Sequence, residues 1–469
     1  MSPAKPRQGG IWVGVVLIGL AMLSAALLAV GESSQELLWQ LGFIAPTIAI
    51  GLVTSLFSLR ARAPKETLWF FGAVVAIGAV LNVVVPFAVA GRVEWGLIVP
   101  LAEPTGSDFL GGLYAPGAAF SATASWPPLT VVVGRAFTLA DPAAALRIQV
   151  AVLVLMGLAA AYLSARLAAK VRSASSVSAA NESSLPVGVF LVVALWLGTS
   201  YGFMFELERG NVNTYALLFS VLAVFVLVRW PRVVWAPALL LAVAINIKVY
   251  PAVLLVVLLW RFRWRALVPA IVSNVVLFLI AGPANASAFI SGLLSLGGTP
   301  FLWAGNHSAA SFAVLLSQQL GVTLPIVRYL LFAPALFVPA VLWVATLLVL
   351  VRQGRSDKGT VLMAASSVPI MAVFPTVSHD YMLVFLVLPL AVIVAMVATM
   401  RPFSSPVRSA LFAAVSIELA YLARSVSLTP IPVLANKYPL LVGLQAIILV
   451  IVLVCADGTK DAALPAGST

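Results

Sequence analysis

Stretches of about 20 apolar residues, separated by short basic or polar segments, recur along nearly the whole chain. Backbone groups in hydrocarbon must be paired within their own segment, so continuous runs of this length specify helices and not the alternating strands of a barrel. With 62% hydrophobic and only 9% charged residues, an ordinary soluble domain is excluded. The chain is expected to be an all-α polytopic integral membrane protein. Its one cysteine, Cys455, lies in the last apolar run, which leaves no disulfide framework and no Cys-based metal site. The net charge of +12 is spread over short loops between apolar runs, as topology signals are, and not gathered into a nucleic-acid-binding surface.

Keeping the Lys/Arg-rich loops cytoplasmic threads the chain. Spans are expected at 11–30, 39–58, 68–90, 148–169, 186–204 and 211–229, then at 266–283, 325–351, 359–375, 381–399, 406–424 and 438–455. The run 11–30 lacks a small-residue cleavage site and reads as a retained first helix. Between RWPR and RFRWR lies VVWAPALLLAVAINIKVYPAVLLVVLLW, too short for two full spans yet flanked by basic loops on both sides. The chain is therefore expected to turn around near Asn246-Ile-Lys248-Val-Tyr250-Pro251, where broken backbone lines a polar cavity. The result is a bundle of about 12–14 transmembrane helices with both termini cytoplasmic. A hairpin at 1–60 precedes a main domain at 61–456, and 457–469 forms a short cytoplasmic tail.

This threading places Asp108, Glu206, Glu208, Arg209, Lys248, Asn306, His307, His379 and Asp380 on the extracytoplasmic side. Ionisable groups near spans mark function or a partner. Each also has a structural reading. Asp108 in TGSDFLGGLY suits a solvated loop or a helix cap, and Glu208 and Arg209 suit a mutual pair. Lys248 suits a snorkelling side chain, and the two histidines suit hydrogen-bonded packing. Trp126 in ASWPPL suits an interfacial anchor. No GxxxxGK[ST] run and no HExxH occur, and no loop is long enough to form a nucleotide-sugar domain.

The run ERGNVNTY (208–215), the Lys248-Val-Tyr-Pro251 corner and the basic segment Arg261–Arg265 resemble glycosyltransferase family 87. So do GNHSAASF (305–312) and SHDYMLVFLVLPL (378–390), while the acidic stretch around Asp108 matches more loosely. The resemblance implies a GT-C-like catalytic domain that takes a sugar, mannose foremost, from a membrane-embedded polyprenyl-phosphate donor. The acceptor would be a glycolipid or glycan hydroxyl, reached outside the cytoplasm at the cell membrane, and the anomeric centre would be inverted. Asp108 is then the expected general base, with Glu206 or Glu208 in reserve. Arg209, Lys248 and His379 would face the leaving phosphate, and Asn211, Asn306 and His307 would orient sugar or phosphate. Gly210 would allow a close backbone approach, and the helix beginning near Asn211 would aim its N–H groups at an anion. No cofactor is called for, although Asp380 beside Asp108 could hold a metal. The competing expectation is a transporter or flippase for an anionic or lipid-linked substrate. Such a protein would carry a second interrupted segment in the other half, and none is found.

Overall fold

The structure, a computed structural model, describes residues 64–90, 107–114, 126–171, 184–296, 302–321, 325–399, 406–424 and 432–457. The expected hairpin at 1–60, the Ser/Ala-rich loop after Val171 and the end of the tail lie outside the described residues. Helices α1 (Pro64–Ala90), α2 (Pro128–Phe137), α3 (Pro142–Val171), α4 (Ser184–Thr199), α5 (Tyr201–Arg209) and α6 (Asn213–Arg229) come first. Then follow α7 (Trp235–Ile247), α8 (Leu255–Phe262), α9 (Leu267–Leu279), α10 (Pro283–Leu296), α11 (Ala309–Gln319) and α12 (Pro325–Gln353). The last are α13 (Asp357–Val373), α14 (Val387–Thr399), α15 (Pro406–Leu422), the single turn α16 (Pro432–Ala435) and α17 (Tyr438–Asp457). Among the described residues there is no strand, only an isolated antiparallel bridge between Asn306 and His379. The protein is an all-α, multi-pass membrane protein.

Helix α14, VLPLAVIVAMVAT, is apolar on every face, and every one of its residues is buried. A helix of that kind belongs at the centre of a bundle. It packs against α3, α4, α13 and α15. On α3 the buried positions Ala145, Gln149, Leu153, Gly157, Ala161 and Ala165 fall every four residues. Most are small, which brings the helix backbones close where lipid offers no hydrophobic driving force between them.

Pro142–Val171, Leu330–Gln353 and Asp380–Thr399 are each long and apolar enough to cross a membrane. Leu185–Thr199 and Tyr201–Arg209 together make a further candidate, bent by 56° at Ser200. The Ser200 hydroxyl caps the second limb by accepting the Phe203 N–H at 3.4 Å. Tyr250–Leu279 also meets the length criterion, but Arg263, with a left-handed φ of 58°, divides it into α8 and α9. The interruption expected at 246–251 is present. α7 stops at Ile247, Lys248 is extended, and Pro251 lies in the first turn of a 3₁₀ segment, Tyr250–Leu254, where its missing N–H costs nothing. The chain reverses there, so that Arg232 before α7 and Trp235 at its start share a cavity with Trp264 and Arg265 after α8.

Candidate functional site

The turn between α5 and α6 is built by polar side chains around a left-handed glycine. Gly210 closes α5 at φ 66°, and a Cβ there would lie 2.5 Å from the Cβ of Phe109. Both its conformation and its contact therefore require glycine. From α3, Gln149 donates through Nε2 to the carbonyls of Gly210 (3.2 Å) and Asn211 (3.1 Å). Its Oε1 accepts the Tyr215 hydroxyl at 2.8 Å.

This fixed turn presents Arg209 and Asn211 to Asp108. The guanidinium binds the carboxylate in a fork, Nε to Oδ2 at 2.9 Å and Nη2 to Oδ1 at 2.5 Å. The Asn211 amide adds a bond to Oδ2 at 2.7 Å. Behind it runs a relay: Tyr250 donates to Asn213 Oδ1, Asn213 Nδ2 donates to Asn211 Oδ1 at 3.0 Å, and Asn211 reaches Asp108. The two asparagines of the G-N-V-N run thus connect the Lys248–Pro251 corner to the carboxylate. Asp108 keeps 17% of its side chain exposed and Arg209 keeps 38%.

The Lys248 ammonium lies 4.3 Å from the centre of the Trp126 ring and 5.8 Å from that of Tyr381. Aromatic faces stabilise a partly desolvated cation. Among the described residues Lys248 makes no ion pair. The Tyr381 ring stacks on Phe205 (5.8 Å), and Phe205 stacks on Tyr201 (5.5 Å) and carries the Arg209 guanidinium at 5.3 Å. His379 stands beside Trp303 and Tyr381, at 5.4 and 5.2 Å. Burial lowers its pKa to about 4, so its imidazole is neutral at physiological pH.

A second polar group lies on the other side of these rings. Asn306 Oδ1 accepts the Ser378 N–H at 2.7 Å, its Nδ2 donates to the Thr376 carbonyl at 3.0 Å, and the His307 N–H donates to the Ser378 carbonyl at 2.7 Å. His307 Nδ1 accepts the Lys437 backbone N–H at 3.1 Å. Its Nε2 therefore carries the proton and donates to Asp380 Oδ1 at 3.0 Å. The Lys437 ammonium reaches the same oxygen at 2.7 Å. Asn306, His307 and Asp380 are all fully buried.

The structure brings every one of the nine residues expected on a common face to one end of the bundle, but in different roles. Asp108, Arg209 and Lys248 form the accessible group, with the buried Asn211 behind them. Asn306, His307 and Asp380 tie two loops together, with Asp108 and Asp380 held by separate cations. Glu208 is half-buried at the end of α5. For Glu206 the expectation is corrected. It is fully buried, and its two oxygens accept the Thr214 N–H (2.7 Å) and hydroxyl (2.9 Å). The N-terminus of α6 starts at Asn213 and is already occupied by this carboxylate rather than open to a substrate anion. Sequence reasoning missed Gln149, Tyr250, Lys437 and Asn436, whose Nδ2 donates to the Asn306 carbonyl at 2.7 Å, and it reads Trp126 as an anchor where the ring lies against Lys248. The available signals were a lone glutamine in the α3 apolar run and the polar pair before Tyr438.

The family model described as glycosyltransferase family 87 matches residues 124–375, more than half of the 469-residue chain. The match includes the α5–α6 turn, Lys248 and the Asn306–His307 loop; Asp108 precedes it, and His379, Asp380 and Lys437 follow it. No curated protein and no solved structure matches the chain.

Proposed function

The chain belongs to glycosyltransferase family 87, and from that premise we propose that it moves a sugar, mannose foremost, from a polyprenyl-phosphate-linked donor to an acceptor hydroxyl outside the cytoplasm. The observation that carries this reading is the half-buried Asp108 carboxylate, oriented by Arg209 and Asn211 on the same polar face as Lys248, a cation with no acidic partner among the described residues. Asp108 Oδ1 accepts one bond from Arg209, which leaves a lone pair for an incoming hydroxyl. The acceptor oxygen attacks the anomeric carbon while its proton passes to Asp108. The carbon–oxygen bond to the phosphate breaks, its electron pair stays on the phosphate oxygen, and Lys248 stabilises that charge. A single displacement of this kind inverts the anomeric centre. Arg209 acts on Asp108 as a positioning residue.

The test is transfer from a synthetic polyprenyl-phosphate mannose to a membrane acceptor extract by purified protein, with donor binding measured separately. Asp108→Asn keeps the shape but cannot take the proton, so transfer should fall by about two to four orders of magnitude while donor binding survives. Near-normal transfer by this variant would place the base elsewhere, and a wild type that ignores lipid-phosphate sugars would overturn the donor. The side of the membrane is tested in a Cys455→Ala background. An impermeant thiol reagent added outside cells should label Ser107→Cys and spare Ser356→Cys, both at exposed positions. Reversed labelling would place the site in the cytoplasm.

A further inference from the structure

The opposite end of α7 from Lys248 carries a second feature that glycosyl transfer does not use. Arg232, Val233, Val234 and Trp235 face Trp264, Arg265 and Val268 across a cavity of about 480 Å³. Trp235 is shared with an adjoining apolar groove of about 440 Å³, which runs between α7 and α9 along Leu239, Val272 and Val276. The thirteen residues of α7 separate this feature from Lys248 by roughly 20 Å. The mouth is basic, because neither Arg232 nor Arg265 is held by a carboxylate among the described residues. Its rim holds Trp235 and Trp264, exposed to 55% and 71%, in the manner of side chains at a headgroup boundary. Arg263 just before it has a φ of 58°, a costly conformation for a non-glycine residue, and this turn swings Trp264 and Arg265 across to the start of α7.

We propose that this is a binding site for an anionic phospholipid. Its phosphate lies between Arg232 and Arg265, and one acyl chain lies in the groove between α7 and α9. Charge complementarity selects the headgroup, since two guanidiniums with no carboxylate partner among the described residues favour phosphate that carries a net negative charge over a zwitterionic headgroup. The groove selects the chain, since Ser273 is the one polar residue among its lining side chains and it opens between the exposed faces of two apolar helices, at Leu239, Val272 and Val276.

The experiment uses delipidated full-length protein in a neutral detergent. Equal amounts of phosphatidylglycerol and phosphatidylcholine with identical acyl chains are added, and retained lipid is read by native mass spectrometry. Wild type should retain phosphatidylglycerol in preference. Arg232→Gln with Arg265→Gln should weaken that retention about thirty-fold, as expected for two cation–phosphate contacts. Ala236→Phe, which fills the groove but leaves both arginines, should also reduce retention. A matching size-exclusion profile shows that each variant is folded. Equal retention of the two lipids by wild type, or undiminished retention by the double variant, overturns the proposal. Preferential uptake of an added polyprenyl phosphate over phosphatidylglycerol that survives Lys248→Met but is lost with Arg232→Gln and Arg265→Gln overturns it as well, and assigns the groove to an isoprenoid chain.

Discussion

Two polar clusters stand at the same end of the bundle, and they have opposite character. In the group formed by Asn306, His307, Asp380 and Lys437, each residue's side chain engages another member or a neighbouring loop, and water is shut out. Gly305 shows how tight it is, because a Cβ there would lie 2.5 Å from Asp380 Oδ2. In the group formed by Asp108, Arg209, Asn211 and Lys248, the carboxylate is oriented from one side and stays partly exposed, and the ammonium rests on aromatic rings with no acidic partner among the described residues. Buried charge in a membrane protein is tolerated when it is paired. The buried group has its charges paired, with Asp380 Oδ2 still lacking a hydrogen bond among the described residues, and so acts as a structural lock, whereas the open group leaves the Lys248 ammonium without an acidic partner among the described residues. Tyr201, Phe205 and Tyr381 join the two, so that the lock sets the position of the ring wall against which the open group stands.

The comparison is broken most severely by removing one charge from the lock. Lys437→Met leaves the Asp380 carboxylate buried without its cation, at a cost of about 3–5 kcal/mol. The expected outcome is a large drop in the thermal midpoint, partly recovered by adding Asp380→Asn. If the single variant melts like wild type, the lock is not structural. A smaller effect is expected at Lys248. Lys248→Met should weaken donor binding by about tenfold or more, the loss of one charge-assisted contact, while Lys248→Arg should retain most of it. Equal affinity in all three proteins would make Lys248 an anchor resting on Trp126. The smallest effect is expected at Glu206. Glutamine can still accept the Thr214 N–H and donate to its hydroxyl, so Glu206→Gln should keep transfer within a few fold, at a stability cost of about 1 kcal/mol. A collapse comparable with that of Asp108→Asn would move the general base to Glu206.

Much of this architecture was legible in the chain itself. Apolar runs of spanning length dictate helices because hydrocarbon offers backbone groups no other partner. The basic loops on both sides of the 233–260 stretch required a reversal, and Pro251 beside Lys248 marked where it falls. The polar residues of one face were also legible as a set, since spans of similar length deliver their ends to common levels. Their division into lock and site was not. Whether Asp108 meets Arg209, 101 residues away, or Asp380 meets Lys437, 57 residues away, depends on which helices are neighbours. Composition and periodicity are silent on that choice. Glu206 and Glu208 look interchangeable in ERGNVNTY's neighbourhood, yet one caps α6 in full burial and the other stays half-exposed, because two residues of a helix point about 200° apart. The sequence determined that a polar face would exist at the ends of apolar helices, and packing decided which of its charges were paired in full burial and which stayed partly exposed, because pairing depends on which helices become neighbours.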